Sequence, residues 1–432
     1  MEVPEWLTAW KGLFMTADKQ DSVLDKHTMS SRFSPVTAIF LIVLVDVLGY
    51  TIILPILPFY AEKFGASPFT IGLLLSSFSV CQLISGPLLG SLSDRIGRRP
   101  LLLLSQMGTC IGFLVLAFAG NLFWVFVGRI IDGLTAGNIS LAQATISDYT
   151  APQNRARAFS KIGIAFGLGF LVGPGLSGLL VNYSYQLPVL VGAALSALSI
   201  AGTFFLLPRE EPSKGSSSSN HAAKFKLLDA KPLFAFFRMP ESRHRLLQFF
   251  LFILSFTMYT SGISLFANRQ LTISGKPFGP SEVAYILAYG GLLGIALQAW
   301  VVGRLVQKFG EDRLVEVGFL AMVLGYILLS QSEHLPLALF SLTFSSIGHG
   351  ILRPVLSSLL SKSAGRSQQG AILGVNQSMQ SIAQIISPVL GGALIENGLT
   401  ATWAVVAGLF ALPGLALERY GKRSNLGSGP QT

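Results

Sequence analysis

Five ionisable side chains, Asp46, Arg129, Asp132, His349 and Arg353, fall inside apolar runs long enough to cross a bilayer. Taking a carboxylate or guanidinium to the bilayer centre costs at least ~2.5 kcal/mol, so each is expected to have a partner or a task. Asp46 has the chemistry of a proton carrier, since a carboxyl removed from water favours its neutral form and a nearby cation restores its charge. Arg129 is the candidate cation, with substrate and proton competing for one site. Asp132, three residues on, either relays protons or neutralises Arg129 within one helix. His349 could titrate near neutral pH or remain a hydrogen-bonded neutral ring. Arg353 precedes Pro354 and could hold an anionic substrate group or a carbonyl freed by the proline.

Helical spacing decides which of these groups share a face. At 100° per residue Arg129, Asp132, Ala136, Ser140, Gln143 and Ser147 form one stripe, expected to line a central cavity. Asp46, Gly49, Tyr50, Ile53 and Leu57 form a second; His349, Arg353 and Ser357 a third; Asn376, Gln380, Gln384 and Ser387 a fourth. The cavity candidates are Tyr50, Ser140, Gln143, Tyr259, His349, Arg353, Asn376 and Gln380, with Tyr285, Tyr289 and Gln377 able to serve or merely to pack.

The elements that must position these groups are membrane helices. Only 12% of the 432 residues are charged and 51% are apolar, with a mean hydropathy of +0.59, too little polar surface to cover a globule of this length. Runs of about 20 apolar residues begin near positions 36, 69, 100, 122, 158 and 187, and again near 246, 281, 314, 335, 370 and 399. The segments are therefore a tail over 1–35, six spans over 36–207, a polar connector over 208–245, six spans over 246–417 and a tail over 418–432. Trp6, Trp10, Leu13 and Phe14 suit a short helix on the membrane surface, as does Leu227 to Phe237 in the connector.

Lys and Arg resist translocation, and they gather on one side. Lys11, Lys19, Lys26 and Arg32 lie in the first tail, and alternate loops carry Arg95, Arg98 and Arg99; Arg155, Arg157 and Lys161; Arg304, Lys308 and Arg313; Lys362 and Arg366. The other loops offer Lys63, Arg269 and Lys276. Both termini are expected in the cytoplasm. The net charge of +10 is thereby a matter of topology, and with no basic patch interleaved with aromatics a nucleic-acid partner is not expected. Cys81 and Cys110 sit in apolar runs without metal or disulfide spacing.

The chain repeats itself. Gly90, Leu92 and Gly97 in the loop after the second span are answered 213 residues later by Gly303, Leu305 and Gly310, Gly137 by Gly350, and Pro174 and Gly178 one residue further on by Pro388 and Gly392. A duplicated six-helix unit is the build of a rocking transporter with its site between the halves.

The stretch Gly90 to Arg99, with Asp94, Arg95, Gly97, Arg98 and Arg99 in place, resembles the signature loop of the major facilitator superfamily. The resemblance implies a major facilitator fold, twelve transmembrane helices in two pseudo-symmetric six-helix bundles, with this loop acting as a charged latch at the inner face or as a plain topology anchor. In the second copy Gln307, Glu311 and Asp312 depart from the pattern, so the latch is expected to be asymmetric. Gly169, Gly173, Pro174 and Gly178 resemble the motif that marks antiporters of this superfamily. Asp46 to Pro58, Arg129 to Gly137 and Ser147 to Phe159 resemble the drug:proton antiporter branch that includes bacterial tetracycline efflux pumps.

The expectation is a secondary active transporter that expels small amphipathic compounds or drugs by alternating access. It would be a monomer in the inner membrane of a cell, driven by the proton gradient, with no cofactor and no metal. A metabolite uniporter or symporter is the alternative, and no nucleophile, metal cluster or phosphate-binding loop suggests an enzyme.

Overall fold

Backbone amides inside a bilayer find no water and must be satisfied within the segment, which for apolar runs of this length means helices. The computed structural model describes residues 35–150, 155–207, 238–363 and 369–427, and among them twelve helical segments are long and apolar enough to cross a membrane. The first half comprises α1 (Pro35–Ile53), α2 (Leu57–Glu62), α3 (Pro68–Ile96), α4 (Arg98–Ala117), α5 (Leu122–Leu134), α6 (Asn138–Tyr149), α7 (Arg155–Leu180) and α8 (Gln186–Leu206). The second comprises α9 (Pro240–Gln270), α10 (Pro280–Ala296), α11 (Val302–Phe309), α12 (Glu311–Ser330), α13 (Leu335–Ser363), α14 (Gln369–Glu396) and α15 (Thr400–Gly427). A small hairpin, β1 (Thr272–Ile273) against β2 (Lys276–Pro277), joins α9 to α10. The two surface helices expected from Trp6 to Phe14 and from Leu227 to Phe237 lie outside the described residues.

The helices depart from the expected spans where backbone chemistry intervenes. The first span breaks between α1 and α2 because Pro55 has no N–H to give, and the buried Pro55 carbonyl accepts the Ser264 hydroxyl of α9 at 3.2 Å. The fourth span breaks at Thr135–Gly137. There the Ser105 hydroxyl of α4 bridges the gap, donating to the Thr135 carbonyl and accepting from the Gly137 amide at 3.0 Å. The stripe expected along one continuous fourth helix is therefore divided in two. The eighth span holds one wide π turn, Leu297–Val301, between α10 and α11. Helix α9 starts six residues before 246 and α15 runs past 417, because their polar ends satisfy one another: Arg245 meets Glu418 at 2.8 Å and Asp312 at 2.7 Å.

The repeat is visible in the backbone. Gly97 closes α3 and opens α4 at φ 105°, and Gly310 closes α11 and opens α12 at φ 79°. Both lie in the left-handed region that favours glycine. Across the halves, a Cβ on Gly72 of α3 would strike the Pro388 carbonyl of α14, and one on Gly392 of α14 would strike the Pro68 carbonyl of α3. Helices α7 and α10 cross in the equivalent way, Gly291 lying against the Phe170 backbone and Gly178 against the Tyr285 ring. Phe118 and Phe205, 76% and 77% exposed, belong to a largely apolar outer surface that suits lipid better than water.

Candidate functional site

Helices α1, α3, α5 and α7 of the first half and α9, α13 and α14 of the second enclose a cavity of about 140 Å³. The first half contributes Tyr50, Phe78, Arg129, Phe166 and Phe170 to its wall, the second Phe256, Thr257, Thr260, Arg353, Gln380 and Gln384. Of the cavity candidates named from sequence, Tyr50, Arg353 and Gln380 are on this wall.

Arg129 and Asp132 form the pair their spacing allowed, Nη1 to Oδ2 at 2.8 Å with both side chains about 6% exposed. The guanidinium also lies 4.3 Å from the Phe78 ring centre, a cation–π contact that gains weight where water is absent. Its Nε has no hydrogen-bond partner. Arg353 is different: its guanidinium faces the Phe166 ring of the other half at 5.3 Å. Tyr50 lies on the same wall, close enough for its hydroxyl to interact electrostatically with both cations.

Asp46 is not on this wall. One helical turn along α1 from Tyr50, about 6 Å of rise, it turns into the first bundle towards Gln106 of α4, Asn138 of α6 and Ser199 of α8. Gln106 spends its amide N–H on Ser199 at 2.8 Å. Its Oε1, the Asn138 Oδ1 and the Asp46 Oδ2 are all buried without a hydrogen-bond partner. Asp46 and Arg129, expected from sequence to share one site, thus stand in two adjoining places, because the break before Asn138 brings the start of α6 to Asp46 and fills the space beside it.

His349 and Tyr259 are also corrected. The His349 Nε2 is hydrogen-bonded to the Tyr326 hydroxyl at 2.7 Å, with Phe256 edge-on at 4.6 Å and Tyr259 at 5.5 Å between ring centres. Tyr259 is 7% exposed and stacks on Tyr326. Both belong to the aromatic core of the second bundle because α12, which carries Tyr326, packs along α13. Asn376 is 6% exposed with an unpartnered Oδ1 but does not reach the enclosed cavity, while Ser140 and Gln143 are exposed on α6 beyond its wall. Tyr289 bonds Thr343 at 2.8 Å and Tyr285 packs on Gly178; Gln377 is exposed.

Glycines of the Gly169–Gly178 motif serve two neighbours. Gly169 and Gly173 admit Val47 and Thr51 of α1, whose hydroxyl donates to the Gly169 carbonyl at 2.8 Å. Gly178, one turn past Pro174, faces α10 instead.

The polar contacts described between the halves lie away from the basic loops. Glu396 at the end of α14 accepts from the Ser67 hydroxyl and the Phe69 amide at the start of α3, both at 2.8 Å. Arg269 pairs with Glu62 at 2.8 Å, and Ser281 donates to Asn182 at 2.7 Å. Midway down, Ser76 still reaches the Ile385 carbonyl. Towards the basic loops a Cβ on Gly86, Gly90, Gly294 or Gly303 would meet nothing within 4 Å. Among the described residues the cleft opens to the basic face and is shut at the other.

At that open face the signature residues bond within their own half. Arg98 holds Asp94 at 2.6 Å and Asp148 at 2.9 Å, and donates to Ser93 at 2.5 Å. Arg99 donates to the Phe204 carbonyl at 2.6 Å, and Arg95 is exposed. The ring of Phe78, the amides Gln106 and Asn138, and Asp148 were not singled out from sequence; the unpaired oxygens that group the two amides with Asp46 exist only once the helices are packed.

A family model described as Major Facilitator Superfamily matches residues 39–388 and, again, 278–425. The tetracycline resistance protein, class H, of Pasteurella multocida is 31% identical over 380 residues, which cover 84% of this chain and 90% of that protein. Multidrug resistance protein 2 of Bacillus subtilis (strain 168) is 27% identical over 406 residues, 91% of this chain and 98% of that one. The crystal structure of the human organic anion transporter MFSD10 shares the fold, with a TM-score of 0.67 at 23% identity over 89% of this chain and 98% of its own.

Proposed function

This chain belongs to the Major Facilitator Superfamily, and on that premise we propose that it expels small amphipathic compounds in exchange for protons, with Asp46 as the proton carrier. Relatives that cover most of the chain are named for tetracycline and multidrug resistance, which supports a membrane transporter working in the efflux direction.

The observation that carries the coupling is a carboxyl buried inside the first bundle, reached by Ser199, Gln106 and Asn138 yet left with its Oδ2 unsatisfied. Three buried oxygens, on Asp46, Gln106 and Asn138, lack a donor, and an unsatisfied buried polar atom costs on the order of 1–3 kcal/mol. A proton on Asp46 supplies the missing donor. The Asp132 carboxylate is near enough to act on Asp46 electrostatically, so protonation also relieves repulsion beside the Arg129 pair that borders the cavity. Loading from the cytoplasm fits the cleft as it stands, open to the basic face, with that face inside by the distribution of Lys and Arg in an inner membrane.

Reconstituted liposomes carrying a pH-sensitive dye test this reading. Tetracycline-like compounds and amphipathic amides added to the wild type should drive proton movement, and Asp46→Asn should abolish it while leaving folded protein. Solute flux without proton flux, or an Asp46→Asn variant that couples as well as the wild type, would replace exchange with uniport.

A further inference from the structure

We propose that Arg353 is the recognition group of the cavity and that the transported compound carries a carboxylate, sulfonate or enolate that docks on it. This rests on the cavity being the substrate site and names the class of substrate. Two cations face the cavity, and Arg129 is already balanced by Asp132 at 2.8 Å. Arg353 has no such acid: among the described residues its guanidinium makes no hydrogen bond and no ion pair, and beyond the electrostatic influence of Tyr50 and His349 it has the contact with the Phe166 face. Pro354 lies inside α13, and the carbonyl it frees one turn earlier is not taken up by Arg353 either, which removes the alternative that spacing allowed.

An unpaired guanidinium at this depth is costly, and five N–H donors in a fixed fork are left to a partner that comes and goes. A planar anion suits the fork. Its surroundings suit an aromatic body: Phe166, Phe170 and Phe256 give apolar faces, and Gln380 and Gln384 give amides opposite Tyr50. The Tyr50 hydroxyl, close enough to interact electrostatically with both arginines, is placed to donate to the same anionic group. Phe166 belongs to the first half and Arg353 to the second, so an anion seated there touches both and is released when they separate.

The test is equilibrium binding to the full chain in detergent, by calorimetry, of 2-naphthoate, 2-naphthamide and 2-naphthylmethylammonium, which share a ring system and differ in charge. The wild type should bind the carboxylate about ten-fold or more tightly than the amide, as a charge-assisted pair implies, and the ammonium least. Arg353→Gln should erase the preference, chiefly by weakening the carboxylate, and Arg353→Lys should keep part of it. An amide or ammonium that binds as well as the carboxylate, a preference that survives in Arg353→Gln, or binding of none of the three overturns the proposal. The comparison on wild type alone decides it if Arg353→Gln does not fold. No gradient is present, so this result is independent of the proton assay: exchange of neutral compounds without carboxylate preference sinks this inference alone.

Discussion

Arg98 and Glu311 occupy the same place in the two halves and carry opposite charge. Each is the first residue of a helix, directly after a left-handed glycine, and each pairs with a residue near the end of the next span: Arg98 with Asp148 at 2.9 Å, Glu311 with Lys362 at 2.7 Å. The duplicated unit has kept the ion pair and reversed its sign. Reversal forbids a symmetric latch, since Glu311 and Arg98 could attract one another when the open face closes but two arginines could not.

Both pairs are partly exposed, so each is expected to contribute about 0.5–1 kcal/mol to stability rather than more. A double-mutant cycle on thermal unfolding, Arg98→Gln with Asp148→Asn, should return a coupling of that size. Swapping the charges at 98 and 148 together should restore at least half of any transport lost in the single variants; a swap no better than the singles means that the signs serve contacts with the other half instead.

Asp132→Asn should cost about 3–5 kcal/mol, because it strands a buried guanidinium. Arg129→Gln combined with Asp132→Asn should be less damaging than Asp132→Asn alone. Detergent melting curves measure both. Should Asp132→Asn melt like the wild type yet stop proton flux, Asp132 is a relay and the pair is not what holds it.

The closed face rests on close backbone approach and on Glu396. Gly392→Ala would press a methyl against the Pro68 carbonyl of the other half, and Glu396→Gln would weaken the charge-assisted bonds to Ser67 and Phe69. Either change should raise the population open at that face, for Glu396→Gln by about five-fold, the equivalent of about 1 kcal/mol. Spin-label distances between α3 and α14 report this directly, and an unchanged distribution in both variants refutes it.

His349→Phe should leave transport close to wild type, within about two-fold, while costing 1–3 kcal/mol through the Tyr326 hydroxyl left without its partner, by the usual magnitude for an orphaned buried group. Transport assays alongside melting curves separate the two effects. A large loss of transport in a variant of unchanged stability would return His349 to the site.

Residue order alone determined the helices, their number, the duplication and the faces that carry Asp46, Tyr50, Arg129 and Arg353. Those follow from hydropathy and a 3.6-residue period, which act between near neighbours. Even the turn at Gly97 and its repeat at Gly310 are local, since one backbone region favours one residue type. Packing decided the rest. Whether Arg353 met an acid, whether Asp46 faced the cavity or the bundle, and whether His349 lined a wall or filled a core depended on helices from distant parts of the chain. The break at Thr135–Gly137 is the instructive case: the repeat marks Gly137, yet the gap is bridged by Ser105 of the neighbouring helix, and that break is what sets Asn138 beside Asp46. Spacing fixes the direction of a side chain on its own helix; only the tertiary structure fixes what stands opposite.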